Sequence, residues 1–215
     1  MKSVSGKTKA MMIFVASMLV SACSSNQQNR SGVFEDFGDV GDPLLSGSFD
    51  YNPSSSVYTL TGGGTNMWFN RDEFFMAWKQ MHGDFSISAQ VDFEGEGVNA
   101  HRKMGVIIRE SLTGESKYAD IAVHGDGLTS LQYRDSTGGD TKEVIAKGKG
   151  FDHLTLERIG TKIIMKVAKD GFSDIPAGEI ELELPDTCYV GIFICSHEAD
   201  VLEKACFSDV QLNAL

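Results

Sequence analysis

The chain is predicted to fold as an all-β antiparallel sandwich or jelly roll, and three observations carry that reading. Short segments alternate apolar and polar residues with a period of two, as Phe85, Ile87, Ala89, Val91 and Phe93 do around Ser86, Ser88, Gln90 and Asp92. Glycine, aspartate, asparagine and proline punctuate the chain between these segments. No amphipathic helical pattern occurs after residue 22, so the crossover helices of a parallel sheet are missing.

The chain begins with Lys2, Lys7 and Lys9, followed by an apolar stretch from Ala10 to Val20. That stretch is shorter than the ~20 residues a membrane span needs. Val20-Ser21-Ala22-Cys23 then resembles the cleavage site of bacterial lipoproteins, so residues 1–22 are expected to be a signal peptide and Cys23 the lipidated residue. Residues 23–33 are Cys23 followed mainly by Ser, Asn, Gln, Arg and Gly, the composition of a flexible tether. Ser24 stands where an aspartate often marks inner-membrane retention, which places the expected lipoprotein in the cell envelope at the outer membrane. Its only membrane contact would be the lipid.

Residues 34–215 are expected to form one domain. Beyond Phe85–Phe93, strands are predicted at Phe74–Gln80, Met104–Arg109, Tyr118–His124, Leu128–Arg134, His153–Arg158, Ile163–Ala168, Glu179–Leu184, Tyr189–Cys195 and Ala205–Leu212. Gly125-Asp126-Gly127, Gly138-Gly139-Asp140 and Lys169-Asp170-Gly171 read as tight connections between them. Gly62-Gly63-Gly64 precedes Thr65 and Asn66 with no Lys-Ser/Thr and no helix, so it reads as a turn and not as a phosphate loop.

Without residues 1–22 the chain carries 16 Lys and Arg against 30 Asp and Glu, a net charge of −14 with neutral histidines. No basic cluster remains, which excludes nucleic acid as a partner. Cys188, Cys195 and Cys206 remain after Cys23, an odd count with no Cys-x-x-Cys pair of the zinc-site kind. Cys195 and Cys206 either bridge across a hairpin or serve as two small buried hydrophobes. His101 and His197, with Asp200 or Asp72, and the carboxylates Asp39, Asp42 and Asp50 are oxygen- and nitrogen-bearing groups, yet their spacing selects no metal site. No cofactor is expected, and a structural calcium would need oxygens from several loops.

A series of short motifs runs in order along the domain: Gly62-Gly63-Gly64 with Trp68, Asp72-Glu73-Phe74, Gly83-Asp84-Phe85, and Lys103-Met104-Gly105-Val106-Ile107-Ile108-Arg109-Glu110-Ser111. Tyr118-Ala119, Gln132-Tyr133-Arg134 and Val190-Gly191 with Ser196-His197 complete it. Over about residues 44–212 this order resembles an uncharacterised bacterial family of the concanavalin A-like lectin/glucanase superfamily, whose members are often attached to propeller or glycosidase modules; this chain would be a stand-alone lipoprotein. Family members often carry a tryptophan shortly after the Asp-Gly turn, where this chain has Phe172-Ser173-Asp174. The resemblance implies that polysaccharides are bound or cleaved on the concave sheet. The superfamily's β-glucan hydrolases share a Glu-x-Asp-x-x-Glu strand, which this chain lacks. Neither Phe93-Glu94-Gly95-Glu96 nor Glu179-Ile180-Glu181-Leu182-Glu183 reproduces it, and Glu181 reads as a solvated strand residue.

Strand parity supplies a candidate site. If Ala119, Ile121 and Val123 face the core, then Tyr118, Asp120 and His124 face outward. Arg109, and either Gln132 with Arg134 or Tyr133, would share that face, with Glu110 beside it. The expected ligand-binding set is therefore Arg109, Glu110, Tyr118, Asp120, His124, Tyr133 and Arg134, with Trp78 as a stacking platform. The competing readings place Trp78 in the core, pair Arg109 and Arg134 with Asp120 or Glu110, and make His124 a polar cap on the turn at Gly125. Tyr118, Asp120 and His124 are also the candidate catalytic groups. The leading expectation is a lipid-anchored protein that binds a glycan or glycoconjugate without cleaving it. The alternatives are a glycoside hydrolase or polysaccharide lyase using this face, and an envelope protein-interaction module.

Overall fold

The computed structural model describes residues 31–215; the expected signal peptide and Cys23 lie outside the described residues. Sixteen strands occur in chain order: β1 (Asp36–Val40), β2 (Ser48–Asn52), β3 (Val57–Gly62), β4 (Met67–Trp68), β5 (Arg71–Asp72), β6 (Phe74–His82), β7 (Phe85–Glu94) and β8 (Lys103–Arg109). Then come β9 (Tyr118–His124), β10 (Leu128–Arg134), β11 (Lys142–Lys149), β12 (His153–Ile159), β13 (Lys162–Ala168), β14 (Ile175–Glu181), β15 (Thr187–Cys195) and β16 (Glu203–Ala214). Two antiparallel seven-stranded sheets form the sandwich: a front sheet ordered β1-β6-β15-β8-β9-β10-β11 and a back sheet ordered β14-β13-β12-β7-β16-β3-β2.

The period of two explains the core. Ile87, Ala89 and Val91 of β7 meet Ala119, Ile121 and Val123 of β9 between the sheets, together with Val106, Ile108, Leu154, Leu156, Val190 and Ile192. Burying such aliphatic chains stabilises the sandwich by roughly 1.5–3 kcal/mol apiece. The alternate residues of the front sheet meet a second apolar cluster on its outer face, made by Val40, Met67, Phe74, Met76, Ile107, Tyr118, Ala122, Phe193 and Cys195. Every residue of β8 and β9 is therefore buried.

The structure departs from several sequence expectations. The chain packs before Phe34: the Val33 amide donates to the Tyr58 hydroxyl at 2.9 Å. Cys195 lies in the front sheet and Cys206 in the back sheet, so no hairpin joins them, and Cys188, Cys195 and Cys206 are all free thiols. The strand expected at Glu179–Leu184 runs instead over Ile175–Glu181, at the edge of the back sheet, where Pro176 is tolerated. Glu181 is exposed and accepts a 2.6 Å bond from Thr161.

Candidate functional site

The outer face of the front sheet is crossed by its own chain. Residues 64–73 form a hairpin, β4 and β5, that starts against β15 and reaches β10. At its base the Ser196 hydroxyl donates to the Gly64 carbonyl at 3.1 Å, and the Cys195 thiol donates to the carbonyls of Gly64 and Glu73. Gly64 has φ +114° and a Cβ there would sit 2.0 Å from the Glu73 carbonyl oxygen, so glycine is required. Midway, Lys103 Nζ of β8 donates to Asn66 Oδ1 at 3.0 Å and to the Met67 carbonyl at 3.2 Å. At the far end the Phe69 carbonyl accepts bonds from the Thr141 amide at 2.8 Å and from Arg134 Nη2 at 3.0 Å.

One carboxylate locks this crossing. Asp72, fully buried, receives Arg109 Nη1 at 2.8 Å and a bidentate grip from Arg134 at 2.7 and 2.9 Å. The guanidiniums also donate to the carbonyls of Ser111, Thr113, Gly114, Ser116 and Gly139. The Tyr118 ring centre lies 5.3 and 5.1 Å from the Arg109 and Arg134 guanidiniums, and its hydroxyl meets Thr141 Oγ1 at 3.0 Å. The sequence expectation of an arginine ion pair holds in kind, but the partner is Asp72 and neither Asp120 nor Glu110. Arg109, Tyr118 and Arg134 have no solvent exposure. Tyr133 packs against the core between the sheets, and Glu110 pairs loosely with Lys117 at 3.7 Å.

Trp78 is half-buried on the same outer face, edge-on to Tyr189 at 6.4 Å. The register Trp78, Gly191, Ile107, Asp120, Gln132 puts four strand spacings, about 19 Å, between Trp78 and Gln132. Trp78 therefore belongs to a different part of the face from Gln132 and the cavity that Gln132 lines.

Beside the hairpin, at the rim where β8 begins and β9 ends, that cavity is an open pocket of about 280 Å³. Asn66 and Trp68 of the hairpin form one wall, His101 and His197 another, and Leu128 and Glu143 the third; Lys103, His124 and Gln132 also line it. Three of the five histidines of the chain thus meet here. Among the described residues, however, no set of three His, Cys, Asp or Glu side chains is placed to hold a metal ion. Next to His101, a buried pair joins Arg102 to Glu203 at 2.6 Å and ties the turn to the facing strand. His197 sits at φ +63°, a left-handed backbone that costs a non-glycine residue energy and recurs at functional sites.

Polar groups around this pocket lack protein partners. Gln132, 1% exposed, donates to Ser130 Oγ at 3.3 Å and to His124 Nε2 at 3.5 Å, but its Oε1 accepts nothing. Nδ1 of His197 is also unpaired, as are both oxygens of Asp120, which pairs with Gln132 across β9 and β10 but is fully buried and does not line the pocket. A buried polar atom without a partner costs about 1–3 kcal/mol, so several around one pocket mark a place where a ligand can supply bonds.

Charge is unusual here too. Burial, with Lys103 nearby, pulls the His124 pKa down to about 4. Nδ1 of the neutral ring donates to the Leu128 carbonyl at 3.2 Å, which leaves Nε2 as an acceptor. Since unfolded His124 titrates near 6.5, the unfolded chain binds the extra proton between about pH 6.5 and 4. Stability is expected to fall by up to ~3 kcal/mol as pH drops across that window, and less so in His124→Gln, as denaturant titrations at several pH values would show. Asp120 moves the other way: burial pushes its carboxyl well above the usual range. The native state then keeps a proton that the unfolded chain loses above pH 4, so Asp120→Asn is expected to stabilise the protein at pH 7 and to flatten its loss of stability on the alkaline side. A lower melting temperature for this variant at pH 7 would contradict that.

Strand parity turns His124 and Asp120 to the same outer face, and the same alternation on β8 from Arg109 reaches Lys103. Trp68, Asn66 and Glu143 arrive from a turn and an edge strand and have no periodic signal.

No protein-family model matches the chain, and no curated protein sequence does. Solved structures do match. A functionally unknown protein from Saccharomyces cerevisiae superposes with a TM-score of 0.59 at 20% identity, over 81% of this chain and 99% of that one. A GH43 protein from Bacillus licheniformis gives 0.58 at 16% identity over 84% of this chain, which spans only 39% of that protein. An alginate lyase of polysaccharide lyase family 7 gives 0.52 at 8% identity, over 87% and 97% of the two chains. These likenesses, with the two facing antiparallel sheets, show that the chain is a jelly-roll sandwich of the concanavalin A-like fold.

Proposed function

We propose that the protein is a lipid-anchored envelope protein that binds carbohydrate, without cleaving it, in the pocket between Trp68, His101, His124 and Glu143. The observation that carries this reading is the pocket's mix of one aromatic wall with unpaired buried polar atoms, which suits a sugar's apolar C–H face and hydroxyl rim. The fold it shares with glycan-acting proteins supports the same ligand class. A catalytic cleft built from Arg109, Tyr118, Asp120 and His124 would favour an enzyme, but Arg109 and Tyr118 are closed beneath the hairpin. One observation favours the enzyme alternative, namely the neutral His124 whose Nε2 is an acceptor beside the pocket.

A glycan array with mass-spectrometric analysis of every bound glycan separates these readings. Binding without new products supports recognition, cleavage makes the protein a hydrolase or lyase, and silence removes carbohydrate as the ligand. The anchor has its own test. Cys23→Ser is expected to lose fatty-acid labelling and to leave the membrane fraction, and unchanged labelling would contradict lipidation there.

A further inference from the structure

We propose that this pocket takes the end of a glycan chain, one or two terminal sugar units, and that the hairpin locked by Asp72 bars internal segments of a polymer. The inference rests on the carbohydrate reading above and adds which part of the glycan is recognised. A polymer bound along its length needs an open path across several strands of the sheet. Here that path is occupied by residues 64–73, which are tied to Cys195 of β15 through Gly64, to β8 and β9 through Met67, and to β10 through Phe69 and Asp72. The obstruction is fixed in place. Its anchors include the fully buried Asp72 between two fully buried arginines.

The wall formed by His101 and His197 is fixed as well. His101 belongs to a turn in which Arg102 donates to the Gly95 carbonyl at 2.7 Å, and Asn99 links that turn to Glu198 at 2.6 Å, next to His197. These links hold the wall in place. At about 280 Å³ the cavity falls just below the range of roughly 300–1,000 Å³ that encloses a drug-sized ligand. The polar groups at its bottom are nearly sealed from solvent, Gln132 being 1% and Lys103 2% exposed. Only a group inserted end-on reaches them. Its hydroxyl would donate to the free Oε1 of Gln132, while the ring packs on Trp68.

The test uses the purified protein with gluco-, xylo- and uronate oligosaccharides of two to eight units, each with its parent polymer. In any series that binds, the dissociation constant per chain is expected to change less than about threefold from trimer to octamer, with one protein per chain at every length. Blocking one end, by reducing the terminal aldehyde or by capping the opposite terminus, is expected to abolish binding, and Trp68→Ala to weaken every length by the same factor. A number of bound proteins that grows with chain length, or indifference to blocking either end, would overturn chain-end recognition while leaving the carbohydrate reading intact. Silence in all series would overturn both.

Discussion

Asp72→Asn is expected to cost about 3–5 kcal/mol of folding stability, the typical loss when one partner of a buried ion pair is removed. The carboxylate receives three guanidinium bonds of 2.7–2.9 Å from two arginines with no solvent exposure. An asparagine amide would turn a donor toward one of those donors, leaving positive charge buried without its counter-ion. The Arg109 and Arg134 guanidiniums cannot turn to water, because backbone carbonyls hold them and the Tyr118 ring packs against both. The Asp72 amide also donates to the Gly114 carbonyl at 2.9 Å, so loss of the side-chain charge loosens both the hairpin and the 110–116 segment. Urea unfolding read as a midpoint shift measures the effect. The matched control is Asp42→Asn, whose 2.6 Å pair with Arg71 is exposed, and it is expected to change stability by less than ~1 kcal/mol. Equal effects of the two substitutions would show that burial of the Asp72 network does not matter.

Trp68→Ala is the second large effect, and it falls on binding. Trp68 is the aromatic wall of the pocket, and its ring stands 5.6 Å from the Lys103 ammonium. Removing it takes away the apolar surface on which a sugar ring packs, and the expected loss is tenfold or more in affinity, ~1.4 kcal/mol or above. The ring is half-buried at the hairpin edge while the neighbouring Met67 carries the apolar anchor, so stability is expected to change far less than in Asp72→Asn. Unchanged affinity together with an unchanged fold would remove Trp68 from the site.

Much of the fold is legible in the sequence because most strands lie inside the sandwich. β7, β9, β12 and β13 alternate between a core face and an outer face, and the period of two reveals them. β1, β2 and β11 escape because each is an edge strand with charged or turn-like residues, such as Asp36, Asp50 and Lys142, at its exposed positions. Parity on β9 correctly turns Tyr118, Asp120 and His124 outward, but cannot show that the outward face is itself covered. The cover comes from residues 64–73, which follow the turn read at Gly62-Gly63-Gly64 without a strand pattern of their own, and where such a segment lands depends on a long-range contact between Asp72 and Arg134 that no local pattern encodes. This is why Arg109 and Arg134 look like ligand-binding groups in the sequence and are found anchoring the hairpin.

The chain has two tryptophans, Trp68 in the crossing hairpin at the pocket and Trp78 away from the pocket on the same face, and their indole N–H resonances give the most direct test of the account. The measurement is a two-dimensional nitrogen–proton spectrum of the labelled protein titrated with a glycan that binds on the array. The Trp68 indole signal is expected to move with the ligand while that of Trp78 stays in place. Movement of Trp78 with Trp68 unchanged would contradict the account and put the site on the far side of the hairpin.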